Sequence, residues 1–553
     1  MRTPSLFARI WALLLLVFVV TGCDIQEAED AFDQVEVIIT LEEIDTIVVG
    51  AVVDASNGSF VRNDVELTFS GDNAGDLIDI YSDAFGSRSI DDGITTFGVD
   101  NNVVPSDGNP ISFRVLANKD GYETGVANVV IDETGQHQFT ILMTRTITNN
   151  SQAAAVGASR QTTNTQTGGN GATTATTSVS TPTTAQTTTS TTVTVPAGTQ
   201  ATTDSGQTLS GTVTTNVNYF PPTSNTANQA FPGGMTNVTV TGGSGGTRTG
   251  ALTTAGFVNV AVTDANGNKA SSISQPINVA MQIPQEILGS GKRGSADTFT
   301  IILFNASTGE WEVVEQSVTA DANGVVTFDA ANLGTFAAIA DASTPTCTMT
   351  YAINRNGNSG IIAVTIAGNG ILYNISYAPG VDSAQITGVP ATDVAYTASA
   401  TPSGLGTDLG VTNVSDGFCN AGTGTDQTIT INLSTPPAGL VDFTLNGRAD
   451  CGDVNVKPPV TGFTGFYKPQ GSTDAQAVLI PEADVTQNAT TNGLRLRDVD
   501  VQIRGVAPGT VLEFFAILDS DRQDFSEPVT VPPTTGAVVM STFDVDDDLC
   551  SIN

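Results

Sequence analysis

The sequence has very little of the side chain from which most catalytic and metal sites are built. One histidine, His137, occurs among 553 residues, so a zinc or copper site that needs two imidazoles cannot be assembled. His137 lies in an alternating strand pattern, and we interpret it as a surface strand position. No G-x-S-x-G elbow precedes a helix, and neither a phosphate loop nor a dinucleotide fingerprint is present. We therefore expect a protein that is not an enzyme and that needs no cofactor, while a hydrolase working with two carboxylates stays open.

Basic residues are scarce as well. Lys+Arg number 20 against 56 Asp+Glu, which gives a formal net charge of −36. Because nucleic acids and anionic membrane surfaces are bound through clustered Lys and Arg, we expect no nucleic-acid partner. Charged residues make up 14% of the chain, against roughly 25% in an average soluble domain. Gly, Thr, Ser, Asn and Val take their place, and this composition favours strands and turns over helices.

The N-terminus carries the features of an export signal. Arg2 and Arg9 precede a continuous apolar run of 11 residues, Ile10–Val20, and small residues follow it. A positive start, a short apolar run and small residues are typical of a secretory signal peptide. The run is shorter than the roughly 20 residues that a membrane-spanning helix needs.

The residues Val20-Thr21-Gly22-Cys23 resemble a bacterial lipobox, an aliphatic and two small residues before the cysteine that becomes acylated. The resemblance implies lipid attachment at Cys23 and a membrane partner through the acyl chains, since several chains together anchor durably. It implies a location in the bacterial cell envelope, on the outer membrane or on the periplasmic face of the inner membrane. The alternative is an ordinary signal peptide followed by a chance cysteine.

The rest of the chain alternates strand-like runs with Gly, Asn and Asp turns. We predict an all-β fold of several tandem β-sandwich domains, Ig-like or transthyretin-like, joined by a disordered Thr-rich linker. The predicted segments are a lipoprotein signal peptide (1–22), an acidic tether (23–35), a first β-sandwich (36–147), the linker (148–190), a second β-sandwich region (191–342), an Ig-like domain (343–440) and a C-terminal β-sandwich (441–553).

Residues 36–147 resemble the carboxypeptidase-regulatory-like, or transthyretin-like, β-sandwich. The matching pieces are Val49–Asp54 with Asn57-Gly58, Phe113–Ala117 leading into Lys119-Asp120-Gly121-Tyr122, and the last strand His137–Leu142. The resemblance implies a non-catalytic unit for folding and interaction.

Residues 161–203 contain no charged residue, and 18 of the 40 positions from 161 to 200 are threonine. We expect most of this stretch to be a flexible linker, because it offers too little apolar surface to offset the entropy of ordering. The region that follows, 191–342, is similar to the extracellular module of cartilage-intermediate-layer-like surface proteins, on Phe231-Pro232-Gly233-Gly234 and Gly309-Glu310-Trp311. That resemblance implies a β-sandwich without activity, and we interpret Trp311 as core or turn packing.

Four cysteines remain once Cys23 is set aside, an even number in an oxidising compartment. Of the three possible pairings we favour disulfides Cys347–Cys419 and Cys451–Cys550, because each closes one predicted domain. Zinc binding is the alternative, but no two of these cysteines have the close spacing of a zinc site.

One strand in the C-terminal region has an interrupted pattern. Within Leu494–Arg504 the apolar alternation slips by one residue. A β-bulge near Arg497-Asp498 would restore the register.

Two acidic clusters, Asp519–Asp524 and Asp544–Asp548, could supply oxygen ligands for Ca²⁺. Neither has the EF-hand loop, and we interpret both as solvated loops.

The function predicted is a non-enzymatic, lipid-anchored cell-envelope protein with structural or adhesive binding, its partner a protein or a glycan. The alternative is a carbohydrate-binding accessory lipoprotein. Ligand identity cannot be read from a β-sandwich fold.

Overall fold

The structure is a computed structural model that describes residues 44–544 with gaps. The gaps are residues 80–81, 185–186, 289–297, 341–345, 359, 361, 369, 378–379, 392–394, 403–409, 416, 420–423, 437, 451–463, 473–476, 481–483, 489–495, 519–520 and 525–526. The signal segment, the tether, Cys23, Cys451 and Cys550 lie outside the described residues. The described chain is almost entirely β and forms four successive two-sheet units, which we call domains 1 to 4.

Domain 1 is a sandwich of two four-stranded sheets, ordered β3-β5-β1-β8 and β4-β2-β6-β7. Its strands are β1 (Thr46–Asp54), β2 (Val65–Ser70), β3 (Leu77–Ile78), β4 (Arg88–Ile90), β5 (Ile94–Val99), β6 (Ile111–Asn118), β7 (Gly125–Ile131) and β8 (Gly135–Met143). Alternate residues point inward, as the period of a strand requires. Val48, Leu67 and Val115 are each 0% exposed between the sheets.

Domain 2 combines an eight-stranded sheet, β15-β14-β19-β18-β21-β16-β13-β9, with the sheet β10-β11-β17-β12, in which β20 also pairs with β17. Its elements are α1 (Asn150–Ala155), β9 (Ser159–Gln166), β10 (Thr177–Ser180), β11 (Thr191–Val195), β12 (Ala201–Thr202), β13 (Thr212–Phe220), α2 (Asn225–Gln229), β14 (Val238–Thr241), β15 (Arg248–Gly250), β16 (Thr254–Asp264), β17 (Ser272–Gln282), β18 (Thr298–Asn305), β19 (Glu310–Thr319), β20 (Val325–Asn332) and β21 (Gly334–Ala340). Val217, Tyr219 and Phe336 lie in the core between the two sheets.

The Thr-rich segment is part of this sandwich, which corrects the prediction of a disordered linker over 148–190. Strand β9 pairs with β13 over eight residues, and β10 pairs with β11. Threonine suits a pleated, half-buried surface, and here its hydroxyl finds partners inside the protein. The Thr165 and Thr177 hydroxyls lie 2.9 Å apart, and Thr189 Oγ1 lies 3.0 Å from Tyr219 Oη. The uncharged stretch is therefore part of the ordered sandwich, with some of its threonines buried and others on the surface.

Domain 3 consists of the sheets β25-β22-β28 and β24-β23-β26-β27. Its strands are β22 (Thr346–Asn354), β23 (Ile362–Gly368), β24 (Ile371–Tyr377), β25 (Ser383–Pro390), β26 (Tyr396–Pro402), β27 (Gly410–Val414) and β28 (Gln427–Asn432). A disulfide joins Cys347 on β22 to Cys419 in the segment before β28, with 6.1 Å between the Cα atoms. This is one of the two bonds predicted from the sequence. The Cys451–Cys550 bond stays a prediction, because both residues lie outside the described part.

Domain 4 consists of the sheets β32-β33-β29-β37 and β31-β30-β34-β35, with β36 added to β34. Its strands are β29 (Val441–Asp450), β30 (Thr464–Pro469), β31 (Val478–Leu479), β32 (Val485–Asn488), β33 (Leu496–Val506), β34 (Val511–Leu518), β35 (Asp521–Asp524), β36 (Val529–Thr530) and β37 (Val538–Asp544). An apolar core that includes Phe443, Ile503 and Phe515 fills the space between the sheets.

The bulge predicted near Arg497-Asp498 is wrong. The β29–β33 register runs without a break from Phe443↔Ile503 to Asp450↔Leu496, and it shifts instead between Val441 and Phe443. The extra residue falls beside Gly505, whose φ is +68° and whose amide donates to Asp442 Oδ1 at 2.7 Å. Glycine adopts this left-handed conformation without strain, so the bulge forms there.

Domains 2 and 3 share one continuous core. Phe231 and Leu252 of domain 2 belong to the same buried cluster as Tyr373 of domain 3. The Gly370 amide donates to the Pro222 carbonyl at 2.6 Å, and the Thr254 amide donates to the Gly370 carbonyl at 3.0 Å. The two sandwiches are therefore joined by buried contacts and by backbone hydrogen bonds.

Domain 1 also packs on domain 4. Val49 and Ile94, on the outer face of one domain 1 sheet, belong to the apolar cluster of domain 4 and are 4% and 1% exposed. No helix in the described part of the chain combines the length and hydropathy needed to cross a membrane.

Candidate functional site

A cleft of about 550 Å³ lies between domains 1 and 2. Its floor is the outer face of the eight-stranded sheet, from β13, β16, β18 and β21, and its wall is the end of β8 with the segment that precedes β7. Small-molecule sites in proteins typically enclose roughly 300–1,000 Å³. The cleft is therefore large enough for a ligand and is our candidate site.

A row of polar side chains crosses the floor. Asn218, Asn259 and Thr335 are direct neighbours on three adjacent strands. The Asn259 amide nitrogen donates to Thr335 Oγ1 at 3.0 Å. The residues beside them in sequence, Val217 and Val258, point to the opposite side of the sheet and into the core. Alternation along each strand thus places the polar row on the outer face.

One side-chain oxygen in this row lacks a hydrogen-bond partner. Asn218 is 5% exposed, and its Oδ1 accepts no hydrogen bond. Its neighbour across the β9–β13 pair is Arg160, whose buried Nε also lacks a partner. An unpaired buried polar atom costs about 1–3 kcal/mol, so such atoms are uncommon in folded proteins.

The polar row continues onto the exposed part of the same sheet, and we call this surface the amide–hydroxyl face. It consists of the outward polar side chains of β9, β13, β16 and β21, which are Arg160, Thr162, Asn164, Gln166, Thr212, Thr214, Asn216, Asn218, Asn259, Thr263 and Thr335. Neighbouring strands are linked by side-chain hydrogen bonds. Thr214 Oγ1 donates to Asn164 Oδ1 at 2.9 Å, and Arg160 Nη2 donates to Asn216 Oδ1 at 2.9 Å. The face is therefore pre-ordered.

An aromatic cluster adjoins the polar row, and two of its members, Phe220 and Phe257, line the cleft. Phe220 and Phe257 stack at 4.2 Å between ring centroids, and Phe231 meets Phe257 edge-on at 5.3 Å. Trp311 stacks on Phe231 at 4.6 Å, is 0% exposed, and donates from Nε1 to the Pro232 carbonyl at 3.1 Å. Trp311 is thus core packing, as the sequence indicates, and it does not form an exposed aromatic platform.

The domain 1 wall carries an ordered cation. Arg145 Nε donates to Asp54 Oδ2 at 2.6 Å, and the Tyr122 hydroxyl donates to the same oxygen at 3.1 Å. Burial raises the pKa of Asp54, but hydrogen bonds from Ser56, Arg145 and Tyr122 outweigh it and hold that pKa below its usual value. Burial and the Asp54 charge raise the pKa of Tyr122 to about 12. Arg145 is therefore fixed beside an ionised carboxylate while it lines the cleft.

An ion pair between Arg114 and Glu310 joins domain 1 to domain 2. Arg114 of domain 1 donates from Nη1 to the Thr308 carbonyl at 2.8 Å and to Glu310 Oε1 at 3.0 Å. Its Nε donates to Asn128 Oδ1 at 2.9 Å. The Arg114 and Glu310 side chains are 16% and 28% exposed, so the pair is partly shielded from solvent.

The predicted site residues that the structure describes, and His137, do not line this cleft. His137 is half-buried on β8, where Nε2 donates to the Glu133 carbonyl at 2.9 Å. Cys347 and Cys419 are bonded to each other in domain 3, and Cys23 lies outside the described residues. Within the described ranges, no group of three or more His, Cys, Asp or Glu is arranged to hold a metal ion.

Sequence reasoning missed the polar row. The signal was present in Asn216-Val217-Asn218-Tyr219, where asparagine alternates with apolar residues. That pattern places two amides on the outer face of a strand, but it does not show which neighbouring strands lie beside them.

No protein-family model matches the sequence, and no curated protein matches it. Among solved structures, the chain is similar to the Bacillus anthracis TIE protein, with 9% identity, a TM-score of 0.15, and coverage of 87% of this chain and 69% of that one. The Porphyromonas gingivalis fimbrial anchor protein Mfa2 gives 12% identity, a TM-score of 0.14, and coverage of 32% and 82%. A family 26 carbohydrate-binding module from Eubacterium rectale, solved with maltoheptaose, gives 11% identity, a TM-score of 0.12, and coverage of 36% and 94%. At TM-scores this low, we base neither fold nor function on these similarities.

Proposed function

We propose that the chain is a non-enzymatic, lipid-anchored protein of the bacterial cell envelope, with a structural or adhesive binding role. The observation that carries this proposal is the way in which the domains are joined. Domains 2 and 3 share a core, and domain 1 contacts both domain 2 and domain 4 through buried or ion-paired side chains. Such an assembly presents its surfaces in fixed relative positions, which suits a binding protein that bears load.

The sequence supports the anchor. An apolar run of 11 residues ends at Val20, and Cys23 follows after two small residues. Acylation at Cys23 would attach the folded domains to a membrane by way of the acidic tether, residues 23–35. The net charge of −36 suits an exposed protein, because self-repulsion keeps a chain with many strand edges soluble.

The composition supports a role without catalysis. The chain has one imidazole, at His137, and its ring is engaged with the Glu133 backbone carbonyl. Asp54, a buried carboxylate bonded to the cleft residue Arg145, is held in its ionised form by its hydrogen bonds. A general acid needs a pKa near the working pH, and Asp54 is shifted in the opposite direction.

A carbohydrate-binding accessory role is the second candidate. The observation that favours it is the cleft, whose floor presents Asn218, Asn259 and Thr335 side by side. Amide and hydroxyl groups both donate and accept hydrogen bonds, and the hydroxyls of a sugar require partners of this kind.

Replacing Cys23 with serine is expected to abolish lipid attachment. In cells grown with radiolabelled palmitate, the wild-type chain should carry label and sediment with membranes. The Cys23→Ser chain should lose at least nine-tenths of its label and appear in the soluble fraction. Gln26→Ala, three residues further on, is the matched control and should behave as wild type. Equal labelling of the Cys23→Ser chain, or an unlabelled wild type, would contradict the anchor.

A further inference from the structure

We propose that the cleft and the amide–hydroxyl face together bind a neutral polysaccharide. The proposal rests on the binding role proposed above and names its ligand class and its site. Three observations carry it, namely the hydrogen-bonding groups of the face, its charge, and the unpaired polar atoms where the face enters the cleft.

The hydrogen-bonding groups match a polyol. Each asparagine or glutamine side chain offers two N–H donors and an acceptor oxygen, and each threonine hydroxyl offers one donor and two acceptor positions. Asn164, Asn216 and Asn259 repeat this pattern across three adjacent strands. Strands in a sheet lie about 4.8 Å apart, and each of these asparagines is offset by two residues from the next in the register. The amides therefore form a diagonal series along which an extended chain of sugars can lie.

Two observations on charge favour a neutral ligand. The face itself is nearly uncharged, and the chain around it is strongly acidic. The face contains no carboxylate and one cation, Arg160, in a chain with 56 acidic residues. At the cleft the lining is mixed, with Glu123, Asp204 and Glu312 alongside Arg145 and Lys269. A polyanion would be repelled by the net charge of −36, whereas a neutral glycan is not.

The two unpaired polar atoms mark the place where a ligand would supply hydrogen bonds that the protein itself does not make. Asn218 lines the cleft, and its Oδ1 has no hydrogen-bond partner. Arg160 Nε, on the residue directly opposite in the β9–β13 pair, has none either. A sugar hydroxyl can donate to one and accept from the other, once rotation of these shielded side chains brings the atoms to the surface. That would recover part of the cost of leaving both unpaired.

The opposite outer face of domain 2 provides an internal contrast. It also carries hydroxyls, such as the Ser180–Thr192 pair at 2.8 Å. However, an amide on that face, Asn278, donates to the carboxylate of Asp329 at 2.9 Å. Asn278 and Asn259 are both half-buried asparagines in outward strand positions, which makes Asn278 the matched control site.

The test is affinity electrophoresis of the full mature chain in gels that contain one polysaccharide at a time. The neutral set is starch, dextran, xylan and laminarin, and the anionic set is alginate and polygalacturonate. We expect at least one neutral polysaccharide to retard the chain and neither anionic one to do so. Asn259→Ala should weaken that retardation about tenfold in Kd, as expected for the loss of hydrogen bonds worth about 1.4 kcal/mol, and Asn278→Ala should leave it unchanged.

A second variant separates a loss of binding from a loss of folding. Asn164→Ala lies on the exposed part of the face and should also weaken binding, with an unchanged melting temperature. Retardation by no neutral polysaccharide, stronger retardation by an anionic one, or equal effects of Asn259→Ala and Asn278→Ala would each overturn the proposal. Labelling of Cys23 is unaffected by any of these outcomes, so the two proposals fail separately.

Discussion

Trp311→Ala should destabilise domain 2 by about 4 kcal/mol, within the range of about 3–5 kcal/mol for truncating a fully buried aromatic residue. The Trp311 ring is 0% exposed and stacks on Phe231 at 4.6 Å. Its indole nitrogen also satisfies the Pro232 carbonyl at 3.1 Å. Alanine would leave a cavity in the cluster shared with domain 3 and an unpaired carbonyl beside it.

Native-state hydrogen exchange is the suitable measurement, because a chain of several domains does not unfold in one two-state step. The most protected amides of β18 and β21 should exchange roughly a thousandfold faster in Trp311→Ala, the equivalent of about 4 kcal/mol. Trp311→Phe keeps the stacking partner for Phe231 and should cost clearly less. Unchanged exchange in β18 and β21 of the alanine variant would show that Trp311 is not part of the core.

Removing the disulfide of domain 3 should cost up to about 4 kcal/mol. The bond spans 72 residues, and loop-closure entropy predicts about 4 kcal/mol for a loop of that length. Cys347 and Cys419 are 5% and 0% exposed, so alanine is the least disruptive replacement for both. Beside the bond, Phe418 stacks on Tyr396 at 4.2 Å, and this packing should loosen with it.

Hydrogen exchange in β22 and β26 measures the effect of the double variant Cys347→Ala with Cys419→Ala. Reduction of the wild-type chain should accelerate exchange in the same strands, and a reductant added to the double variant should change nothing further there. If neither the double substitution nor reduction of the wild-type chain accelerates exchange in β22 and β26, the bond does not stabilise domain 3.

Much of the fold could be predicted from β-branched runs and from alternation. The run Thr46–Val53 predicts β1, which extends from Thr46 to Asp54, and the run Val65–Phe69 predicts β2 nearly to its ends. β2 has one buried face, so its apolar period is visible in the sequence. β1 is buried on both faces and is visible instead as a continuous run rich in β-branched residues. The all-β sandwich architecture follows from the same pattern, repeated along the chain.

The Thr-rich segment could not be predicted in the same way. A stretch without charge is compatible both with a disordered linker and with the interior of a sandwich. What decides between the two is a long-range pairing, of β9 with β13, which begins some fifty residues away in the sequence. Thr165 and Thr189 gain hydroxyl partners through contacts that no local pattern reveals.

The candidate site depends on the same long-range information. Asn218 and Asn259 become neighbours through the register of β13 and β16. The domain contact beside the cleft joins Arg114 to Glu310, which are 196 residues apart. The sequence therefore indicates which residues face outward, and the register and the domain contacts determine which of them meet.

Retention of living cells on an immobilised polysaccharide tests anchored adhesion most directly. The surface would carry the neutral polysaccharide that retards the purified chain most strongly. Cells that produce the wild-type chain or Asn278→Ala should be retained, and cells that produce Asn259→Ala should be retained less firmly. Cells that produce Cys23→Ser should wash off like cells without the protein. Equal retention of Cys23→Ser cells, or retention of wild-type cells no better than that of cells without the protein, would contradict an envelope-anchored adhesive role.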